Sequence, residues 1–277
     1  MILIANPIYD VVFKYLLEDV DIAKELLSTI LGTSIVELTV KPQETIVKDE
    51  ISGEIKIFRL DFKAVIKLSD GQHKSVLIEL QKAKQSHDIS RFRTYLGENY
   101  KKQEMITLKD GSQEQISLEI VSIYILGFNL EGVDIPVLKV SRAYTDAITN
   151  EIVDARNDFI TKLTHESFTI QVLRLKHDQR NKLEEVLEIF SQDSVTKNLH
   201  NIQIPDNSKN PLVKKMVKRL SKAASNETIK RKMEAEDMID KIINNQLREQ
   251  AEKYEEKLSQ KDKEIQELKA LLAQNKK

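Results

Sequence analysis

Two stretches of strict alternation separated by one turn constrain this chain more than any other feature. Phe58, Leu60, Phe62, Ala64, Ile66 and Leu68 put apolar side chains at every second position, with Arg59, Asp61, Lys63, Val65 and Lys67 between them. Ser69-Asp70-Gly71-Gln72 is a turn signal, and in the returning stretch Val76, Ile78 and Leu80 alternate with Leu77, Glu79 and Gln81. A period of two does not suit a helix, so the segment is predicted to be a β-hairpin with one strongly apolar face.

The hairpin carries an acid on each strand, and parity decides whether the two acids meet. If the apolar sets of both strands share one face, Asp61, Glu79 and Gln81 share the other. That requires an odd loop or a bulge. A two-residue Asp70-Gly71 loop would pair Asp61 with Leu80 and throw the acids to opposite faces, whereas a three-residue loop Asp70-Gly71-Gln72 would pair Asp61 with Gln81 and leave Glu79 diagonal to it.

The rest of the chain alternates helices with strands. Asn6 is predicted to cap a first helix with Pro7 in its first position. Apolar residues then recur at helical spacing from Val11 to Ile30, as one helix or as two split near residues 19–21, and Gly32 is a C-terminal stop. A polar helix is expected over 86–105, a buried strand over 116–128 closed by Gly127, a further strand over 168–175 and an amphipathic helix over 181–190. The expected class is α/β, a mixed sheet core flanked by helices, with a C-terminal helical and coiled-coil extension.

Pro205-Asp206-Asn207-Ser208 and Pro211 mark a boundary. Beyond it Lys209, Lys214, Lys215, Lys218, Arg219, Lys222, Lys230, Arg231 and Lys232 are interrupted by one acid, Glu227. This segment reads as an exposed linker helix or a non-specific DNA arm. Leu247, Ala251, Tyr254, Leu258, Lys261, Ile265, Leu268 and Leu272 follow the four-three spacing of a coiled-coil seam, with three weak members, so a modest homodimer contact or packing back on the body is expected. The domains are set at 1–204, a basic helical linker at 205–240 and the coiled coil at 241–277.

Composition removes several classes of chemistry. With no Cys there is no disulfide framework, no thiolate metal site and no cysteine nucleophile. His73, His87, His165, His177 and His200 lack ligand spacing, and 7 glycines in all leave little room for a phosphate-cradling loop. No stretch approaches the roughly 20 apolar residues of a membrane span, and the first residues do not read as a secretory signal, so no membrane partner and a cytoplasmic location are expected. The near balance of 43 Lys+Arg and 44 Asp+Glu is an average over regions, not an absence of charge.

Two carboxylates on adjacent strands repel unless a proton, a lysine or a hard cation neutralises them. Mg²⁺ takes oxygen ligands alone, typically one or two carboxylates with substrate phosphates and waters, and such an ion activates water and offsets charge on a phosphodiester. Gln81 or Lys82 would then position water or contact phosphate. Lys82, Lys84, His87, Arg91 and Arg93 follow the acids as candidate phosphate contacts, or as a solvated cationic helix face.

Asp61 followed by Ile78-Glu79-Leu80-Gln81-Lys82 resembles the PD-(D/E)XK nuclease superfamily. The run Asn6-Pro-x-Tyr-Asp10-x-x-Phe13-Lys14, then Leu60-Asp61-Phe62, Glu79-Leu-Gln81, Arg91-Phe-Arg93-x-Tyr95 and Ser122-Ile-Tyr-Ile-Leu-Gly127-Phe128, is similar to the PD-(D/E)XK family transposases, close to the Rpn recombination-promoting nucleases. The likeness covers roughly residues 1–175. It implies a restriction-endonuclease-like core and a metal-dependent DNA endonuclease associated with transposition or recombination, using Mg²⁺ or Mn²⁺. Asp61 and Glu79 would bind the metal with the carbonyl of Leu80. Gln81 would orient water in place of the superfamily's lysine, with Lys82 in reserve, and Leu60 stands where a proline is usual. Asp10 matches an acid on the first helix, although it also suits the helix dipole and an ion pair with Lys14. Arg91, Arg93, Tyr95 and Lys84 would contact DNA. The alternative is a catalytically inactive nuclease-like module that binds DNA or protein and dimerises through its coiled coil.

Overall fold

The computed structural model describes residues 1–41, 44–48, 55–59, 61–82, 88–108, 110–155, 157–176 and 181–274. The chain divides into two compact units, Met1–Ile229 and Lys230–Lys277. The first is a mixed α/β unit built on a six-stranded sheet. Its strand order is β10 (Val137–Val140), β11 (His165–Gln171), β9 (Glu119–Leu126), β6 (His73–Gln81), β5 (Phe62–Leu68) and β2 (Ile35–Val40). β11, β9 and β6 run parallel, and the flanking pairs are antiparallel. β6 and β9 occupy the middle and are buried along nearly their whole length, as parallel strands covered on both faces require.

The hairpin has the expected parity. Phe62 pairs with Ile78 and Lys67 with His73, so the even-numbered apolar sets of β5 and β6 share a face. The loop is Ser69, Asp70 and Gly71, one residue earlier than the three-residue loop anticipated. Leu68 N–H donates to Gln72 O at 2.8 Å, and Gly71 takes a positive φ of 87°. That shift of one residue changes which groups are level, with consequences at the site.

The helices follow the apolar periodicity, with corrections at their ends. α1 (Asp10–Leu17) and α2 (Val20–Leu31) are separate. Asp19 caps α2 by accepting from Ile22 N–H, and Gly32 ends it in the left-handed conformation. Asn6 does not cap α1, which starts at Asp10 with Tyr9 at its cap. The Asn6 amide is used elsewhere: it accepts from Ile8 N–H and donates to Gln192 Oε1 and Leu199 O, fixing the turn that leaves β1 (Ile2–Ala5). β1 pairs with β12 (Asn201–Ile204), nearly the whole unit away in sequence.

The helix expected over 86–105 is α3 (Asp88–Tyr100), and Met105 lies in β7 (Glu104–Thr107), which pairs with β8 (Gln113–Ile116). The apolar face of α3, through Phe92, Tyr95, Leu96 and Tyr100, packs on Leu77 and Ile120. Ile106 and Ile116 of the β7–β8 ribbon pack with Val65 and Leu118. These elements cover the sheet face that carries Leu77 and Glu79. β3 (Glu44–Lys48) and β4 (Ile55–Arg59) form a separate antiparallel pair. The strand expected over 168–175 starts earlier and ends at Gln171 in a 3-10 turn. The helix expected over 181–190 is α5 (Lys182–Leu187) followed by another such turn. A short helix α4 (Asp158–Leu163) precedes β11.

α6 (Pro211–Ala224) starts at the expected Pro211, capped by Asn210, but it lies inside the first unit, which continues past 204 to Ile229. Leu212, Val213, Met216, Leu220 and Ala223 are buried, and the helix packs on β1, α1 and α2. Several of its cations hold it there. Arg219 donates to Tyr15 O at 2.7 Å with its guanidinium over the Tyr15 ring, and Lys215 pairs with Glu25. The anticipated linker is therefore in part a packed, amphipathic helix.

The second unit belongs to α7 (Glu227–Gln274), a single uninterrupted helix. Of the seam residues, Tyr254, Leu258 and Ile265 are exposed. No helix among the described residues is long and apolar enough to cross a membrane.

Candidate functional site

β5 starts beside the point where β6 ends, and that place is where the two hairpin acids meet. Since Phe62 pairs with Ile78, continuing the register by one step puts Asp61 level with Glu79 rather than with Gln81. Leu80 N–H donates to Asp61 Oδ2 at 2.5 Å, so the Asp61 side chain takes a ladder position that β5 itself has vacated. A strand residue turns its N–H and its C=O to the same side, so the Leu80 carbonyl also points toward Asp61. Gln81 points the other way, and its carbonyl accepts from Gly127 N–H at 2.7 Å.

Gly127 explains how β9 closes on this end of β6. A Cβ there would lie 2.3 Å from the Lys82 carbonyl oxygen, inside any real contact distance. Only a residue without a side chain lets the strands approach so closely.

Glu79 is 4 % exposed and Gln81 also 4 %. Arg91 of α3 reaches both: its Nη2 donates to Glu79 Oε1 at 2.8 Å and to Gln81 Oε1. Glu79 Oε2 is buried and, among the described residues, has no hydrogen-bond partner. From α1, the Asp10 carboxyl lies near enough to Asp61 for its charge to act there, and it pairs with Lys14 at 2.7 Å. The expected i,i+4 pair with Lys14 and the approach of Asp10 to the site are thus both present.

The electrostatics follow from this crowding. Burial, then the charge of Asp10, pushes the Asp61 carboxyl up to about 7, against the opposing effects of the Leu80 N–H and Lys14. Burial, then the charge of Asp61, pushes Glu79 up to about 9, against Arg91. Three acids stand together here, with Lys14 and Arg91 beside them. Perturbation of this kind on neighbouring groups marks a candidate functional site.

The other anticipated site residues divide. Lys82 places its ammonium 4.1 Å from the centroid of the Tyr9 ring. Arg93 is exposed on α3. Tyr95 is buried against Leu77 and Ile120, which removes its ring from a DNA-contacting surface; helical spacing with Phe92 was the signal that it belongs to the core. Arg91 points inward to Glu79 rather than outward. Lys84 and His87 lie outside the described residues.

Among the described residues no group of three or more His, Cys, Asp or Glu is arranged to hold a metal ion. Two carboxylates of adjacent strands, one with a buried oxygen that has no hydrogen-bond partner, are nevertheless an all-oxygen set that suits Mg²⁺ or Mn²⁺ with backbone, water or phosphate oxygens completing the shell. The residues fit such an ion.

Comparison with known proteins gives no match among protein-family models, curated proteins or solved structures.

Proposed function

We propose that this chain is a Mg²⁺-dependent DNA endonuclease with a restriction-endonuclease-like core of the PD-(D/E)XK kind, acting in transposition or recombination. The observation that carries this reading is the Asp61 carboxylate accepting from Leu80 N–H next to Glu79 at the end of the β5–β6 hairpin, both acids with raised carboxyl pKa values. Mn²⁺ fits the same oxygens. A bound ion supplies a Lewis acid that generates a nucleophile from water at neutral pH and offsets charge on the phosphodiester. Asp61 and Glu79 would hold it, with the Leu80 carbonyl turned to the same place. Gln81 would orient water by hydrogen bonding, since an amide does not exchange a proton as a lysine does. Arg93, exposed on α3, would meet a phosphate backbone. The exposed apolar seam of α7 supports association with a second copy.

A second reading keeps the fold and drops the cutting: a nuclease-like module that binds DNA or protein. The glutamine in place of the superfamily's lysine favours it. Plasmid cleavage separates the two. Wild-type protein should nick or cut plasmid only with Mg²⁺ or Mn²⁺, and Asp61→Asn or Glu79→Gln should fall to background with unchanged far-UV circular dichroism. Cleavage that persists in both variants contradicts the metal-dependent reading, and absence of cleavage by a folded wild type favours the binding module.

A further inference from the structure

Glu79 and Gln81 are held by one nitrogen. Arg91 Nη2 donates to Glu79 Oε1 at 2.8 Å and to Gln81 Oε1, while Glu79 Oε2 stays buried with no hydrogen-bond partner among the described residues. The guanidinium does not take the carboxylate through both oxygens, the arrangement in which an arginine–carboxylate pair is strongest. It holds one and leaves the other. Arginine has no acceptor, so the Gln81 atom that meets it must be the amide oxygen, which turns the amide nitrogen, a donor, to the opposite side. The base of α3 is fixed for this purpose. Tyr95, one helical turn after Arg91, is buried on Leu77 of the same strand as Glu79, and Phe92 lies against Tyr124 of the adjacent strand with ring centroids 5.0 Å apart.

We infer that Arg91 is a positioning residue for the proposed metal site: it anchors Glu79 by one oxygen so that the other faces a cation, and it orients Gln81 to present N–H donors rather than its carbonyl. This rests on the metal reading above, and it moves Arg91 from the DNA surface to the support of the acids. Hydrogen-bonded supports of this kind set metal affinity, and their loss typically lowers it about 10- to 100-fold.

The test is Mn²⁺ titration of the metal-free full chain by calorimetry and by thermal melting, for wild type, Arg91→Met, Arg91→Lys and Asp61→Asn. Expected are binding by wild type, loss of about 10- to 100-fold in affinity for Arg91→Met, and partial recovery for Arg91→Lys, which returns the charge without the planar fork. Equal or tighter binding by Arg91→Met, with binding lost in Asp61→Asn, overturns the positioning role alone, because Arg91 would then be a counter-cation that competes with the metal. Unchanged Mn²⁺ affinity with a DNA-binding salt slope reduced by about 1 overturns it too, since that is the signature of a phosphate contact. A wild type that takes up no Mn²⁺ overturns this role and the metal reading together. Should Arg91→Met not fold, Arg91→Lys decides, and wild-type affinity in it contradicts the inference.

Discussion

Glu79 and Glu119 stand on the adjacent parallel strands β6 and β9, toward opposite ends of them, and both are almost fully buried, at 4 % and 5 % exposure. Their surroundings differ. Glu119 meets Arg142 through Oε1 and Lys74 through Oε2 at 3.2 Å, so each oxygen has a cation. Arg142 in turn donates to Thr161 O, tying α4 to the sheet. Glu79 has one arginine on one oxygen, nothing among the described residues hydrogen-bonded to the other, and the acids Asp61 and Asp10 close enough to raise its pKa. A buried acid that fastens a fold is matched by cations. One left short of them, beside a second acid, is the place where the proposed cation would supply the missing charge.

The contrast is broken most forcefully by removing each acid in turn. Glu119→Ala leaves Arg142 and Lys74 facing a buried gap, and it should cost about 3–5 kcal/mol in denaturant unfolding. Glu79→Gln keeps the shape and the bond to Arg91 while removing a carboxyl that resists ionisation, so in chelator it should cost little or stabilise. Equal losses for the two substitutions would remove the distinction between a fastening acid and a site acid.

A smaller effect sharpens the same comparison at the backbone. The close approach of β9 to β6 at the Glu79 end depends on Gly127, so Gly127→Ala should cost about 1–3 kcal/mol by overpacking against the Lys82 carbonyl. Because Gln81 O is the acceptor for Gly127 N–H, the substitution should also lower Mn²⁺ affinity. A substitution without effect on unfolding would show that the strands separate freely there.

Much of this site was legible in the sequence because parity is a local property. The alternation of 58–68 and 76–80 already implied that Asp61 and Glu79 share a face, and the turn signal already allowed an odd loop. The loop began at Ser69 instead of Asp70, since a left-handed residue is needed near the end of the turn and Gly71 supplies it. Other features depend on contacts distant in sequence. The four-residue ladder between β1 and β12 joins segments with no short-range signal for each other. Asn6-Pro7 looks like a helix start, yet the amide is drawn to Gln192 and Leu199. The cations of 209–232 look like a solvated stretch until α1 and α2 are seen beneath α6. Arg91 and Arg93 are two residues apart on one helix, and only the docking of α3 through Tyr95 distinguishes the one that turns inward.

The most direct measurement is the melting temperature of wild type and Glu79→Gln across pH, in chelator and in Mg²⁺. The folded pKa of Glu79, about 9, lies above the ordinary carboxylate value of 4.5, so the folded state holds a proton that the unfolded chain has released. Stability is therefore full below the unfolded pKa and is lost as pH rises toward 9. In chelator the wild type should fall progressively below Glu79→Gln between about pH 5 and pH 9. Mg²⁺ should reverse that deficit in the wild type and leave Glu79→Gln unmoved. A wild type that tracks Glu79→Gln at every pH, or an equal response of both to Mg²⁺, would contradict the assignment of Asp61 and Glu79 as a cation site.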